Sequence, residues 1–296
     1  MKLGRLLNRL VRKTKAYYLR RKRLGPDGWL FFWLFDKADL LLSSRRESPA
    51  AHRASLRWKE AYRQRFPAPP YFTMTTDYPV AADSDDHKVP RGSLRDNSAN
   101  RAFNARLYAW LADRPDLTVL DIGCAGGGFV RSVLEDGRCA VGVEGSDASR
   151  RTQSGEWGTS PHHLFTADIG RPFRLNRADG TAARFDVVTA WEVLEHLPED
   201  RVPTLLANIR DHLKPGGYFI GSVDTVPDGN PLTGAVYHLT LRPKSWWLAR
   251  FAELGFSEVA DPPFETSDYV RGNGRTIKDW DPSAGDAFHL VLRYDG

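Results

Sequence analysis

The stretch VLDIGCAGGGFV, residues 119–130, carries the strongest architectural signal in the chain. An apolar run ending in Asp121 leads into four glycines within the six positions 123–128, and then into Phe129 and Val130. Glycine at that density costs backbone entropy and is kept where the chain must turn sharply or pass close to another group. The pattern is that of a buried strand, a tight turn and a helix start. Further apolar runs bounded by turn signals lie at 139–145, 162–168, 185–191, 216–223, 255–261 and 287–294, with the first extending over 117–123. Helical stretches separate most of them: GFVRSVLEDG from 128, EVLEHLPEDRVPTLLANIRDHLK in two pieces from 192, and PKSWWLARFAELG from 243. This alternation predicts an α/β fold with a doubly wound, mostly parallel seven-stranded sheet. The last two strands have no helix between them, so an antiparallel pair should close one edge, giving one antiparallel edge strand.

A chain of 296 residues with 41% hydrophobic and 27% charged residues can bury a full-sized core. Its two cysteines, Cys124 and Cys139, exclude a disulfide scaffold and a cysteine-based zinc site, and fit a reducing, cytoplasmic setting. The net charge of +5 is uneven. Residues 1–26 carry ten basic side chains and no acid. Leu3, Leu6, Leu7 and Leu10 recur there at helical spacing, and the aromatic run Trp29–Phe35 that comes next is too short to span a bilayer. The extension 1–42 therefore reads as a basic amphipathic helix with an aromatic cluster. Packing on the main domain, association with an anionic membrane surface or glycan, and nucleic-acid binding all fit it, as does a transit peptide. The membrane reading places the protein peripherally, at the inner face.

Residues 43–97, rich in Pro, Asp and Ser, read as an irregular linker with a candidate lid at 77–97. The main domain spans 98–296. Its first helix should carry Phe103, Leu107, Trp110 and Leu111 on one face, with Asp96, Asn97 or Ser98 as N-cap.

In a doubly wound sheet, ligands bind beyond the carboxyl ends of the strands. Asp121 with the glycine turn, Glu144, Asp168 and the cluster WEVLEHL, residues 191–197, fall there. Gly123, Ala125 and Gly128 also satisfy the dinucleotide pattern G-x-G/A-x-x-G, the mark of a nicotinamide-dependent oxidoreductase. Asp121, read as ionised at the strand tip, would repel a pyrophosphate on the adjoining helix and would accept a cationic or hydroxyl-bearing ligand.

With these motifs in order, residues 117 to about 294 resemble the class I S-adenosylmethionine (SAM)-dependent methyltransferases, a Rossmann-like family. The family's loop D/E-x-G-x-G-x-G stands here as Asp121, Gly123, Ala125 and Gly127, with Ala125 departing at the middle glycine. The resemblance implies that Glu144, next to Gly145, receives the ribose hydroxyls, that Asp168 reads the adenine amino group, and that Ile169 packs on the ring. LKPGGYFIGSV is similar to the family's loop into its fifth strand. Residues 1–95 are scarcely covered. SAM carries a sulfonium, an ammonium and a diol, to which strand-end carboxylates and bare backbone groups are complementary.

If WEVLEHL begins a helix, Glu192, Glu195 and His196 stand at i, i+3 and i+4 and share one face, and His238 should return to the same rim. Two carboxylates and two imidazoles suit a divalent cation such as Mg²⁺. The E-x-x-E-H arrangement with a later histidine resembles that of metal-assisted methyltransferases of the small-RNA 2′-O and ubiquinone-precursor types. The same residues also fit metal-free catalysis, with His196 or His238 as base beside Glu192, or a helix cap. Trp191, Trp246 and Trp247 are candidates for the cofactor and acceptor wall. His87, Arg91, Asp96, Asn97 and Asn100 are candidates for closure over it. The family's N-P-P-[YF] element is absent, which favours an oxygen acceptor. The expected activity is SAM-dependent O-methylation of a small molecule or saccharide, including a lipid-linked or membrane-proximal glycan. An RNA 2′-O-methyltransferase and a non-catalytic SAM-binding partner protein are the alternatives.

Overall fold

The computed structural model describes residues 71–90, 99–230, 233–270 and 287–296. The expected basic helix and aromatic run within 1–42 lie outside the described residues, as do Arg91, Asp96, Asn97 and Ser98. The larger compact unit comprises Phe66–Gly229 and Val236–Gly296.

Its elements, in chain order, are β1 (Phe72–Thr75), α1 (Asp85–Lys88), α2 (Arg101–Trp110), β2 (Thr118–Ile122), α3 (Gly128–Glu135), β3 (Cys139–Glu144), α4 (Ala148–Thr152), β4 (Leu164–Thr166), β5 (Arg174–Arg177), β6 (Phe185–Trp191), α5 (Val202–Asp211), β7 (Leu213–Asp224), α6 (Lys244–Ala252), β8 (Phe256–Glu258) and β9 (Ala287–Tyr294). Seven of the strands form one sheet in the order β8-β9-β7-β6-β2-β3-β4. β7, β6, β2, β3 and β4 run parallel, while β9 pairs antiparallel with both β7 and β8. The expected antiparallel pair thus closes one edge. The last strand enters inside it, and the three-residue β8 takes the rim. β1 and β5 form a separate antiparallel pair that sequence reading did not anticipate.

Each face of the sheet is covered, so its strands are apolar throughout. Because side chains alternate along a strand, Leu120 and Ile122 enter one buried cluster with Val141, Phe219 and Trp247, while Leu117 and Val119 enter the other with Phe103, Phe129 and Ile220. α2 buries Phe103 and Leu107 as expected, but its N-cap is Asn100, whose side chain accepts from the Ala102 N–H at 3.0 Å. No described helix is long and apolar enough to cross a membrane.

Candidate functional site

β2 delivers the chain into the glycine turn. Gly123, at φ +73°, donates its N–H to the Val143 carbonyl at 2.7 Å, and a Cβ there would stand 2.3 Å from a Val193 methyl. Gly127 takes φ +86° and starts α3. Ala125, where the family has its middle glycine, is also left-handed at φ +46°. A side-chain-bearing residue there stores about 1–2 kcal/mol of strain. The surroundings hold it: the Ala125 N–H donates to Glu144 Oε2 at 2.8 Å, and its carbonyl accepts from Trp157 Nε1 at 2.8 Å. Trp157, a clamp on this loop, escaped sequence reading because it lies in an irregular segment without periodicity.

Glu144 ends β3 and also accepts from the Ser146 N–H at 3.0 Å. Burial raises its pKa despite those two donors. Asp168, beyond β4, accepts from the Gly170 N–H at 2.9 Å and from Arg201 Nη1 at 3.0 Å, beside the buried Ile169. Gly145 offers its carbonyl to the Ala81 N–H at 2.8 Å. Trp191 ends β6 packed edge-on to Phe103 and Phe129, its indole N–H buried without a partner.

Asp121 departs from expectation. It is buried at 2% exposure and accepts from the Thr189 hydroxyl at 2.7 Å; burial pushes its pKa up to about 8. It is therefore largely protonated at neutral pH, and no strand-tip charge repels a pyrophosphate. The folded chain holds this proton up to about pH 8, whereas an unfolded aspartate, with its ordinary value of 3.8, releases it much earlier. Its contribution to stability should therefore be lost as pH rises from about 4 to about 8. Asp121→Asn should flatten that part of the profile, read as the urea midpoint at about pH 5 and about pH 8 without added ligand; equal slopes in both proteins would contradict the assignment.

The cluster after β6 is not a helix. Glu192 is left-handed at φ +55°, and residues Leu194–His196 make one 3-10 turn that ends before Pro198. Glu192, Glu195 and His196 therefore do not share a helix face, and the expected spacing argument fails for Glu192. Instead, Glu195, His196 and His238 converge, with one ligand atom of each within 4.8 Å of the others. The two imidazoles meet edge to face, with ring centroids 4.8 Å apart.

Glu195 is wholly buried. Oε1 accepts from the Asp224 N–H at 2.9 Å and Oε2 has no partner; burial raises its pKa to about 8. His196 Nδ1 lies 2.8 Å from Asp86 Oδ2, and His238 Nδ1 lies 2.5 Å from the Val226 carbonyl. Facing acceptors, both Nδ1 atoms carry protons, which leaves Nε2 as the free position of a neutral ring. Burial works against a charge on His196, but Asp86, then Glu195 and Asp228, outweigh it and hold its pKa at about 9. His238 is pushed the other way by burial and by His196.

Trp247, a candidate pocket wall, is instead fully buried in the core cluster that includes Phe251. Of the candidate closing residues, His87 faces Asp147 at 3.8 Å, and Asn100 caps α2 while donating to the carbonyls of Ser267 and Tyr269.

A parallel sheet continued by an antiparallel strand, with a glycine turn and strand-end carboxylates, defines a class I methyltransferase fold. The family model described as a methyltransferase domain matches residues 94–260, more than half of the chain, and the chain belongs to that family. Among curated relatives, it is 32% identical over 133 residues to a ubiquinone biosynthesis O-methyltransferase of Nitrosospira multiformis, covering 43% of this chain and 52% of the relative. It is 29% identical over 145 residues to the enzyme of that name from Pseudomonas paraeruginosa, covering 46% and 59%. The chain thus spans little more than half the length of these relatives. Among solved structures, it is similar to the Burkholderia thailandensis 1,6-didemethyltoxoflavin-N1-methyltransferase, at 18% identity over 86% of this chain and 93% of that one, with a TM-score of 0.44.

Proposed function

We propose that this chain transfers the methyl group of SAM to a hydroxyl oxygen of a small molecule. In this reading Glu144 receives the ribose hydroxyls, Asp168 and Ile169 hold the adenine, and the turn Gly123–Gly127 takes the methionine part. Glu195, His196 and His238 activate the acceptor. The observation that carries the reading is the convergence of those three side chains beyond β6. A hydroxyl is a poor nucleophile until its proton is taken or its pKa lowered, whereas the transfer itself needs chiefly alignment and exclusion of water. The relatives' designation as O-methyltransferases supports oxygen as the acceptor.

The donor set also fits a divalent cation. Glu195, which has one buried oxygen without a partner, converges with two imidazoles whose Nδ1 atoms are already turned to acceptors, as metal-binding histidines commonly are. Glu195 Oε2 and the two Nε2 atoms would hold the cation, and when bound it would lower the pKa of the acceptor hydroxyl. His238, whose pKa is depressed, is the imidazole best placed to take a proton near neutral pH, since His196 is held charged in the absence of a cation. Within the small-molecule class, the ten basic residues of the stretch 1–26 favour a saccharide or lipid-linked acceptor at an anionic membrane surface.

Transfer of labelled methyl from SAM into fractionated cell extract, with and without EDTA, tests this reading. Label should enter a small-molecule, glycan or lipid fraction through an alkali-stable ether. Activity should fall at least about tenfold with EDTA and return with Mg²⁺, Mn²⁺ or Zn²⁺. Label confined to RNA or to protein would overturn the assignment, and EDTA-resistant transfer would remove the cation from it.

A further inference from the structure

Residues 76–90 cross the carboxyl ends of the sheet as a strap. The Tyr78 carbonyl accepts from the Asp168 N–H at 2.9 Å, and the Ala81 N–H donates to the Gly145 carbonyl at 2.8 Å. Asp85 Oδ2 accepts from the Val236 N–H at 2.9 Å. The strap therefore borders the expected adenosine site at two strand ends before reaching the loop beyond β7. Within it, Ser84 caps the short helix α1, its hydroxyl accepting from the Asp86 N–H at 3.2 Å. That bond fixes the backbone from which the Asp86 side chain reaches His196, 110 residues away in sequence.

The contact is a charge-assisted hydrogen bond, 2.8 Å long and only partly exposed, with the two side chains at 32% and 25% exposure. It supplies what the proposed chemistry requires of His196. An imidazole has two nitrogens, and a carboxylate fixed at Nδ1 keeps the proton there, fixes the ring plane and leaves Nε2 for the cluster with Glu195 and His238. Among the described residues Asp86 is the one hydrogen-bond partner observed for the His196 ring, which otherwise packs edge to face against His238.

We propose that Asp86 is the positioning residue for His196, delivered to the site by the strap over the cofactor ends of β3 and β4. The role rests on the function proposed above. It also ties closure to chemistry, because the segment that borders the adenosine site carries the carboxylate that orders the acceptor side.

The test uses the full-length chain and the variants Asp86→Ala and Asp86→Asn. Asn keeps an acceptor oxygen for the Nδ1–H, so it should retain kcat within a few-fold; Ala should lose about 10- to 100-fold. KM for SAM and affinity for S-adenosylhomocysteine should stay within about twofold in both. The activity-independent readout is the downfield imidazole Nδ1–H proton resonance. It should be present in the wild type and lost in both Asp86→Ala and His196→Ala. Asp86→Ala with unaltered kcat, or with its resonance intact, would overturn the inference. So would equal losses of rate and of S-adenosylhomocysteine affinity in Ala and Asn, which mark a strap that only closes the pocket. Should the wild type transfer no methyl group, the proposed function fails, and the resonance alone then decides whether Asp86 orders His196.

Discussion

Glu195→Gln is expected to lower kcat for methyl transfer by about 10²-fold or more, with affinity for SAM within about twofold of wild type. The size follows from position. Glu195 is wholly buried, its Oε2 has no hydrogen-bond partner, and one of its carboxyl oxygens lies within 4.8 Å of a ring nitrogen of each of His196 and His238. Glutamine keeps the volume and still accepts the Asp224 N–H at Oε1. The fold should survive, since the carboxyl is itself largely protonated near neutral pH without a cation, its pKa raised to about 8. What glutamine cannot provide is an oxygen that ionises, as Glu195 does above about pH 8 or beside a cation. If a cation is held here, its charge inverts the local preference and favours ionised Glu195, so the variant should also lose cation dependence. Single-turnover kinetics separates the chemical step from cofactor binding. Wild-type kcat in Glu195→Gln would remove this residue from the reaction.

Gly123→Ala should destabilise the protein by about 2–4 kcal/mol, read as a fall in Tm of roughly 5–15 °C. Two penalties combine. A Cβ at φ +73° is strained in itself, and here it would lie 2.3 Å and 2.8 Å from the two methyls of Val193. Val193 immediately precedes the Leu194–His196 turn, so the displacement falls on the turn that carries Glu195 and His196 as well as on the glycine loop. Adding Val193→Ala should recover the steric part and leave the backbone part. An unchanged Tm in the single variant would mean that the loop does not pack as described.

The sequence was most informative where one physical signal dominated. Apolar runs closed by turn residues located all seven strands of the main sheet, because burial on both faces leaves little room for polar side chains. Strand order was less accessible. The insertion of Ala287–Tyr294 between β7 and β8 depends on pairing between distant segments, and no local pattern encodes it. The β1 and β5 pair escaped for the same reason, as each strand has four residues and they lie about a hundred residues apart.

At the site, the sequence named Glu192, Glu195, His196 and His238; the structure brings ligand atoms of the last three within 4.8 Å of one another, while Glu192 stays outside that group and acts on Glu195 and His238 by its charge. Pro198 marked the end of this stretch but not its shape, since the left-handed backbone at Glu192 and the 3-10 turn after it have no local sequence signal. Asp121 was misjudged because burial, which outweighs the opposing hydrogen bond donated by the Thr189 hydroxyl, is set by the packing of the folded sheet and not by any local pattern. In the strap, the sequence pointed to His87, whereas the structure brings its neighbour Asp86 to His196. Which of two adjacent polar side chains faces the site is decided by the Ser84 cap and by contacts that no local pattern specifies.

Whether the carboxyl ends of β2, β3 and β4 hold SAM is decided by titration calorimetry of the full-length chain with S-adenosylhomocysteine, in wild type and in Glu144→Ala. The wild type should bind at one site per chain, Glu144→Ala should bind at least about 100-fold more weakly, and NADH should give no heat with either. Undiminished binding in Glu144→Ala, or binding of NADH without any of S-adenosylhomocysteine, would refute the assignment.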